Sequence, residues 1–576
     1  MTEKKWKFWR IFLITVSVLA TLKVIFFDYT LDEEYQVMMS YRQLLGDDLF
    51  KQMWEPHQTS AFLCTGLMWF YEFITGTYTG VLIFLRVATS LIQLGLAFYL
   101  YQVMKHIAGK EYAFIMGVIY YNMIPKMIQI PEFANMQLWF FTLLTLFVLE
   151  YMGVRRTENK GKILWVAAAG VAMSLEVLAY PSSILLFPFF LLVFGLHKKG
   201  KPLRDCLVFT GVCGVCGLLW CAGVMLAGKL TLSEFVRNVK NILSFDLTHE
   251  VTGATAGKGL GLVLNLGTGA LLLIGIYVAA LLVTMLWKAC TKVDEKKNYS
   301  LQVFVLASIG LSALVQLFCW MILRRGYEFP QIHLLAVLLG ALLLWKQADS
   351  HKKLLAIGIV GTLVNYIAVF YISDLQLYHA LPHGVLGVVF ALPVIVSALE
   401  NTIKENAAKW CYVFLLAFCA VVVFGKSFTF RGGRDFNMVW DVGGIMKHGI
   451  AAGVLTDYMF AYIYNCNYED WQMYVEDGDN VLVVTNMVFS AGTTPYSFRD
   501  VNVCHYSIVD PTAYDERLAA YWELYPEKEP DVIVVDCWYG ELKENPDNWM
   551  MQYIENDFGY TEVNDGRYVR FYRKSE

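Results

Sequence analysis

Acidic residues with the chemistry of proton transfer stand beside the apolar runs of this chain. Asp32 and Glu33 follow the first apolar run directly, and Glu55 and His57 lie in the motif Trp-Glu-Pro-His later in the same polar segment. Glu132 follows a proline between two further apolar runs. Carboxylates are costly to bury in a bilayer, so acids at this position need an explanation. They are candidates for the base that removes a proton from a hydroxyl or an amine.

Cationic residues accompany these acids. Arg86 lies inside the second apolar run, and Arg324 and Arg325, with Tyr327 shortly after them, lead into a later run at Pro330. Cations stabilise the charge that develops on a departing phosphate. The acids and the cations together are what a protein needs to activate a nucleophile while a phosphate leaves.

Each residue also has an ordinary structural explanation. Acids in loops are often only solvated, Arg86 could pair with a carboxylate or reach the membrane surface, and the two later arginines could anchor a helix end or bind lipid phosphate. His57 is most simply a hydrogen-bonded loop residue. A divalent metal ion remains an open alternative as a cofactor, because it could be bound by Asp32, Glu55, His57 and Glu132 if these residues are neighbours. Glu176, inside the fifth apolar run, would need a basic partner or a cavity.

Composition identifies the class of protein that must position these residues. Of 576 residues, 57% are hydrophobic and only 17% are charged, whereas soluble domains carry about a quarter charged residues. The mean hydropathy is +0.47. A net charge of −4 with no basic tail gives no indication of a nucleic-acid partner. The chain is therefore predicted to be a polytopic α-helical membrane protein.

Apolar runs of about 20 residues predict about thirteen membrane spans in residues 1–427. The predicted spans are near 11–28, 79–104, 112–130, 135–153, 163–180, 182–198, 205–228, 262–287, 301–322, 331–347, 353–373, 384–400 and 409–426. The run 61–76 is short and contains Glu72, which favours an interfacial or re-entrant helix. With the N-terminus in the cytoplasm, every inside loop is basic, in agreement with the positive-inside rule. This orientation places the Asp32 loop and the C-terminal part outside a plasma membrane.

Residues 428–576 differ abruptly in composition and predict a separate extracytoplasmic α/β domain. Val481–Val484 and Val532–Asp536 are typical of buried parallel strands, and residues 568–572 alternate as in a half-buried strand. Three helices are expected between them, near 456–473, 515–525 and 548–558. This domain has neither a glycine-rich phosphate loop nor a nucleophile elbow, so the chemistry is expected in the membrane domain.

The chain resembles the GT-C membrane glycosyltransferases that use polyprenyl-phosphate sugars, in particular protein O-mannosyltransferases and the lipid A aminoarabinose transferase. The resemblance rests on the order of its motifs: Asp32-Glu33, Gly46-Asp47, Trp54-Glu55-Pro56, the short helix at 61–76, Arg86, Glu132, and Arg325, Tyr327 and Pro330. Two departures are Glu55-Pro56-His57 where the family often has Lys-Pro-Pro, and Glu132 where Asp is common.

The resemblance implies an inverting transferase with a GT-C-like fold. It makes Asp32 the base that deprotonates the acceptor, and it makes Glu33 a second catalytic residue that shapes the site or contacts the acceptor. It makes Arg86, Arg324 and Arg325 the groups that hold the lipid phosphate, with Glu55, His57, Glu132 and Tyr327 as further substrate contacts. The implied partners are a polyprenyl-phosphate-linked sugar, an acceptor that is a glycan, a lipid or a protein, and the lipid bilayer. Some relatives use a divalent metal ion and others need none.

Two other functions fit the composition. A transporter or flippase of lipid-linked glycans would carry charges through the middle of its spans, whereas the candidates here collect at one face. A non-catalytic envelope assembly factor would keep its function after Asp32→Asn, whereas a transferase with Asp32 as its base would not.

Overall fold

The structure is a computed structural model of the full chain. It describes residues 3–55, 57–155, 162–197, 200–245, 268–291, 299–324, 332–372, 380–402, 407–432, 435–484, 502–503, 516–536, 549–554, 560–565 and 567–574. Within these ranges the chain is mainly helical from residue 3 to residue 428, and all the strands of its sheets follow.

Helices form most of the first three quarters of the chain. In order they are α1 Glu3–Phe26, α2 Leu31–Leu44, α3 Phe62–Thr75, α4 Val81–Ala108, α5 Lys110–Asn122, α6 Phe133–Tyr151, α7 Lys162–Ala179, α8 Leu186–Leu196, α9 Pro202–Ala227, α10 Leu232–Phe245, α11 Thr268–Thr291, α12 Ser300–Phe318, α13 Ile332–Leu344, α14 Ala356–Ile372, α15 Val388–Thr402 and α16 Ala407–Phe428. Among the described residues, nine helices are long and apolar enough to cross a membrane, and three shorter apolar helices accompany them. The prediction of a polytopic α-helical membrane protein is confirmed.

The predicted span 112–130 differs from the observed helix. The apolar run 112–130 forms only α5, which ends at Asn122 and is followed by Met123 in an extended conformation. Pro125 explains the break, because proline disfavours helical geometry in the residue before it and cannot donate a backbone hydrogen bond. The remaining residues up to Glu132 form an irregular connection that carries Lys126.

The polar segment after α1 is itself structured. It forms α2 and then a short 3₁₀ turn, Gln58–Ala61, that leads into α3. The 14 residues of α3 span about 21 Å at about 1.5 Å per residue, which is shorter than the hydrocarbon core of about 30 Å. Gly76 ends α3 in a left-handed conformation, with φ of 69°, which glycine adopts at little cost.

Among its described residues, the C-terminal part contains three sheets. Two small antiparallel pairs come first, β1 Thr429–Gly432 with β2 Asp435–Met438, and β3 Gly444–Ile445 with β4 Leu455–Thr456. The main sheet has the order β6-β5-β7-β9-β8, built from β5 Asn480–Val484, β6 Asn502–Val503, β7 Val532–Asp536, β8 Tyr560–Asp565 and β9 Val569–Lys574. Helices α17 Tyr458–Tyr474, α18 Glu516–Leu524 and α19 Trp549–Gln552 accompany it. The predicted parallel strands pair directly, with Val481 opposite Val532.

Residues of the two small sheets hold the end of α1. The backbone N–H of Asp28 donates to Leu455 O at 3.1 Å, and that of Tyr29 donates to Arg431 O at 3.0 Å. The start of α4 is tied in the same way, with Gly80 N 3.0 Å from Gly449 O. The segment that separates α1 from α2 is therefore tied by backbone hydrogen bonds to β1 and β4.

Candidate functional site

The first turn of α2 separates the two predicted acids. Thr30 caps the helix in an extended conformation, and its N–H donates to Glu33 Oε2 at 3.3 Å. Acidic residues are favourable at a helix N-terminus because they meet the positive end of the helix dipole. Consecutive helical residues point about 100° apart, so Asp32 and Glu33 face different neighbours.

Glu33 faces Arg86, and the two are buried together. Arg86 Nε lies 3.0 Å from Glu33 Oε1, and Nη2 lies 2.7 Å from Oε2. The other three guanidinium donors contact the carbonyl oxygens of Ile25, Phe27 and Asp28 at 2.7–3.2 Å. All five donors of Arg86 thus have protein acceptors. In this geometry Arg86 caps the C-terminal end of α1 and orients α2 through Glu33. A phosphate could bind Arg86 only by displacing Glu33 or one of the three carbonyl oxygens.

Asp32 faces Lys126. Its Oδ2 lies 3.2 Å from Lys126 Nζ, and the Asp32 side chain is 24% exposed. The same ammonium lies 4.0 Å from the centre of the Phe133 ring, a favourable cation–π distance. An accessible carboxylate and an accessible cation therefore stand side by side where α2 meets the connection between α5 and α6.

Glu132 caps α6 next to this pair. Its carboxylate accepts from Ala134 N at 2.9 Å and from Asn135 N at 2.8 Å. Burial raises the pKa of Glu132 to about 7, Lys126 and the two backbone N–H groups act to lower it, and the charge of Asp32 raises it further. The interaction with both side chains places Glu132 in the same electrostatic environment as Asp32 and Lys126.

Aromatic rings connect this cluster to a large apolar cavity. The His57 ring stacks on Phe133 with centres 4.3 Å apart, and it lies 5.3 Å from Tyr180. His57 and Tyr180 line a cavity of about 570 Å³ between α7, α9 and α10. Its other walls include Val171, Leu175, Leu178, Ile184, Phe187, Trp220 and Ile242. The cavity thus ends one ring away from the ammonium of Lys126.

A chain of buried hydrogen bonds approaches the cluster from inside the membrane domain. Glu176 Oε1 accepts from Asn365 Nδ2 and from Ser183 Oγ, each at 3.1 Å. Gln137 Nε2 donates to Ser183 Oγ at 2.9 Å, and its Oε1 contacts His383 Nδ1. Burial lowers the pKa of His383 to about 3, and the charge of Lys126 lowers it further. Glu176 therefore has polar partners, and the chain ends at a neutral histidine near Lys126.

Glu55 lies in a different network. Arg42 on α2 bonds Glu55 through Nη1 and Asp47 through Nε, the latter at 2.7 Å. Lys528 of the C-terminal part contacts the second oxygen of Asp47 at 2.5 Å, and Tyr521 OH donates to Gln52 O at 2.5 Å. Burial raises the pKa of Glu55, while the Arg42 charge acts to lower it. Glu55 is thus a buried partner of Arg42 that helps to dock the loop 45–55 against the C-terminal part.

The later arginines are described only in part. Arg324 pairs with Asp441, and its guanidinium lies 5.9 Å from the centre of the Trp440 ring. Arg325 and Tyr327 lie outside the described residues.

The four residues considered as metal ligands do not form a ligand group. Glu55 is bonded to Arg42, Glu132 caps a helix, His57 stacks between aromatic rings, and the ammonium of Lys126 lies beside Asp32. No cluster of three or more His, Cys, Asp or Glu side chains suited to a metal occurs among the residues that the structure describes.

Sequence reasoning did not single out Lys126 and His383. A charged residue directly after a proline inside an apolar run was the available signal for Lys126, because both features argue against a continuous span. His383 had no comparable signal, since it follows Pro382 in a short 3₁₀ turn, Leu381–Gly384, whose burial depends on tertiary packing.

No family model and no curated protein matches the chain. Among solved structures, it is similar to the oligosaccharyltransferase AglB from Archaeoglobus fulgidus in complex with an inhibitory peptide and a dolichol-phosphate, with 10% identity, a TM-score of 0.43, and coverage of 100% of this chain and 75% of that one. It is also similar to ArnT from Cupriavidus metallidurans, with 13% identity and a TM-score of 0.41 in the apo state over 98% of both chains. The undecaprenyl phosphate complex of ArnT gives 14% identity and a TM-score of 0.43, with 98% and 97% coverage. These similarities lie at 10–14% identity and at TM-scores of 0.41–0.43.

Proposed function

We propose that the chain is an inverting membrane glycosyltransferase that moves a sugar from a polyprenyl-phosphate donor to an acceptor, with Asp32 as the base. The observation that carries this proposal is the accessible Asp32–Lys126 pair, which stands one ring away from a large apolar cavity. A base, a cation for phosphate and a place for a lipid chain are the three requirements of such a reaction.

Accessibility favours Asp32 over the other acids. Glu33, Glu55 and Glu132 are buried and already bonded to Arg86, Arg42 and backbone N–H groups. Asp32 has one bonded oxygen and a side chain that is 24% exposed. A base must come within hydrogen-bonding distance of the proton that it removes, and Asp32 meets this condition best of the four.

Lys126 is proposed to bind the phosphate of the donor. In the structure its ammonium neutralises Asp32, and a lipid phosphate with more negative charge would compete for it. When Lys126 turns to the phosphate, the Asp32 carboxylate becomes free to accept a proton from the acceptor hydroxyl or amine. The acceptor then forms a bond to the anomeric carbon, and the bond from that carbon to the phosphate oxygen breaks on the opposite face. The electron pair leaves with the phosphate, whose new charge Lys126 stabilises.

The apolar cavity is proposed to hold the first isoprene units of the donor. Burying apolar surface contributes about 25 cal/mol per Å², so an apolar cavity of about 570 Å³ favours a lipid chain over a polar substrate. His57 and Tyr180 mark the end of the cavity nearest Lys126. A chain in the cavity would bring its phosphate toward Lys126.

The other predicted residues take supporting parts in the proposal. Glu33 and Arg86 position α2, and Glu132 sets the charge around Asp32. Arg324, Arg325 and Tyr327 remain proposed contacts to the carrier or the acceptor. The N-terminus is proposed to be cytoplasmic and the C-terminal part extracytoplasmic, because this orientation places the basic loops inside and gives the active site access to lipid-linked donors on the outer leaflet.

Native cysteines allow the lipid site to be tested without mutation. Cys213, Cys216 and Cys221 line the cavity, whereas Cys290 is exposed on α11. Purified protein in detergent would be alkylated with N-ethylmaleimide, and each cysteine would be followed by mass spectrometry. Polyprenyl phosphate should slow alkylation of the cavity cysteines and leave Cys290 unchanged.

A parallel assay tests the reaction. The same protein, supplied with a panel of polyprenyl-phosphate sugars and an envelope extract as the source of acceptor, should release polyprenyl phosphate from at least one of them. Equal alkylation with and without polyprenyl phosphate would remove the cavity from the proposal. Failure to consume any member of the panel would count against a transferase.

A further inference from the structure

A second, polar cavity lies at the C-terminal ends of α1 and α16, apart from the site above. Its volume is about 60 Å³, enough for several water molecules, since one needs about 10–15 Å³. Its walls combine apolar residues of the spans, Val24, Leu334 and Val422, with an unusual number of polar side chains: Lys23, Asp28, Asn122, Trp320, His333 and Lys426.

Several polar atoms of these side chains have no hydrogen-bond partner among the described residues. They are Asp28 Oδ1, Asn122 Oδ1, Trp320 Nε1 and both ring nitrogens of His333. All four residues are buried, with at most 6% exposure. An unsatisfied buried polar group costs about 1–3 kcal/mol, so a cluster of them around one cavity indicates a polar occupant.

The charges around the cavity favour an anion. Lys426 Nζ donates to Thr21 Oγ1 at 2.9 Å and to Tyr121 O at 3.4 Å, and Lys23 Nζ donates to Thr429 O. An anion between the two lysines would favour the protonated form of both. Burial, and then the charge of Glu33, raise the pKa of Asp28 to about 7. A protonated Asp28 could therefore donate a hydrogen bond to an anion at neutral pH.

From this arrangement we infer that the cavity binds one phosphate-type oxyanion, either the headgroup of a lipid phosphate monoester or inorganic phosphate. Lys23 and Lys426 supply charge, and Trp320 and His333 supply N–H donors. The occupant would accept hydrogen bonds from the ring N–H groups of Trp320 and His333, which have no partner among the described residues. The apolar walls contributed by the spans suit a headgroup whose chain remains in the bilayer.

This site is distinct from the proposed donor site. The connection between α5 and α6 lies between the two, because Met123, Ile124 and Met127 line the polar cavity, whereas Lys126 on the same connection pairs with Asp32. The inference does not rest on the proposed function, since it uses neither Asp32 nor Lys126.

Thermal unfolding of the full-length protein in detergent tests the inference. Two probes are titrated separately, inorganic phosphate against potassium chloride of matched ionic strength, and dioctanoyl phosphatidic acid. A ligand that binds only the folded state raises the Tm in a saturable way. Lys426→Met removes one charge at similar volume, and Trp320→Phe removes one donor and keeps the ring. Lys409→Met is the matched control, because Lys409 is an exposed lysine on the same helix.

We expect wild type and Lys409→Met to respond alike. Lys426→Met should need at least tenfold more probe for half of the shift, and Trp320→Phe about threefold more. A response to phosphatidic acid alone would identify a lipid headgroup site, and a response to both probes would show that the oxyanion suffices. The inference is overturned if neither probe stabilises the wild type, or if Trp320→Phe and every folded Lys426→Met sample respond as the wild type does. The Trp320→Phe arm decides the outcome if Lys426→Met does not fold.

Discussion

Replacement of Arg86 separates two roles that the residue could have. Arg86→Met removes one partner of a buried ion pair and leaves the charge of Glu33 without compensation. Breaking such a pair costs about 3–5 kcal/mol, and the carbonyl groups of Ile25, Phe27 and Asp28 also lose a donor. The unfolding entropy is about 2.1 cal/mol/K per residue, so for 576 residues the Tm should fall by about 2–4 °C.

Two further variants make this test specific. Arg86→Lys keeps the charge, but an ammonium cannot reproduce the planar five-donor geometry, so it should lose most of the same stability. The double variant Arg86→Met/Glu33→Gln removes both charges and should lose less than the sum of the single variants, by about 0.5–3 kcal/mol. The measurement is the thermal unfolding of purified full-length protein in one detergent.

The opposite pattern would refute this reasoning. If Arg86→Lys kept the wild-type Tm and its main defect were weaker binding of polyprenyl phosphate, Arg86 would be a substrate ligand, as the sequence resemblance implied. A double variant whose loss equalled the sum of the single losses would show that Arg86 and Glu33 are not coupled.

Three further predictions concern the surroundings of the site. The pKa of Glu132 in the folded protein is about 7, above its ordinary value of 4.5, so the contribution of Glu132 to stability is fully present below about pH 4.5 and is lost as the pH rises to 7. Glu132→Gln should remove this decline, which is on the order of 3 kcal/mol, and the measurement is the Tm from pH 5 to 8. A pH profile of the variant that matches the wild type would contradict this prediction. Lys528→Met should speed hydrogen exchange in residues 45–55, because it breaks the buried contact to Asp47. The control Lys574→Met breaks an exposed pair and should leave this exchange unchanged. Equal exchange in both variants would count against docking of the loop 45–55 through Lys528. Lys126→Gln should slow consumption of a polyprenyl-phosphate sugar at least tenfold. The control Lys51→Gln should leave the rate unchanged, although it also removes a lysine that is paired with an aspartate, Asp48. A normal rate in Lys126→Gln would exclude Lys126 as the phosphate contact.

The sequence was sufficient for the membrane class, the order of the long helices and the parallel strands of the C-terminal part. These features depend on local composition and on periodicity, which a single sequence contains. Asp32 was also accessible as a candidate, because a carboxylate after an apolar run stands out. Its place in the first turn of a helix, α2, was not predicted, since the segment was expected to be a loop.

The partners of these residues could not be predicted in the same way. Asp32 meets Lys126, which is 94 residues away along the chain, and Arg86 turns toward Glu33 and the end of α1 because that end leaves carbonyl groups without donors. The acidic Glu55 is buried against Arg42 rather than exposed in its loop. Each of these contacts arises from tertiary packing that one sequence without relatives does not reveal.

Asp32 is proposed to remove the proton from the acceptor. The most direct measurement is the single-turnover rate at which purified Asp32→Asn consumes a polyprenyl-phosphate sugar, compared with Asp48→Asn. Asp48 is a matched control because it is 27% exposed and lies 3.4 Å from Lys51. We predict a loss of about 10²–10⁴-fold for Asp32→Asn, with polyprenyl phosphate binding retained, and no loss for Asp48→Asn. Consumption by Asp32→Asn at the wild-type rate would contradict the proposed mechanism.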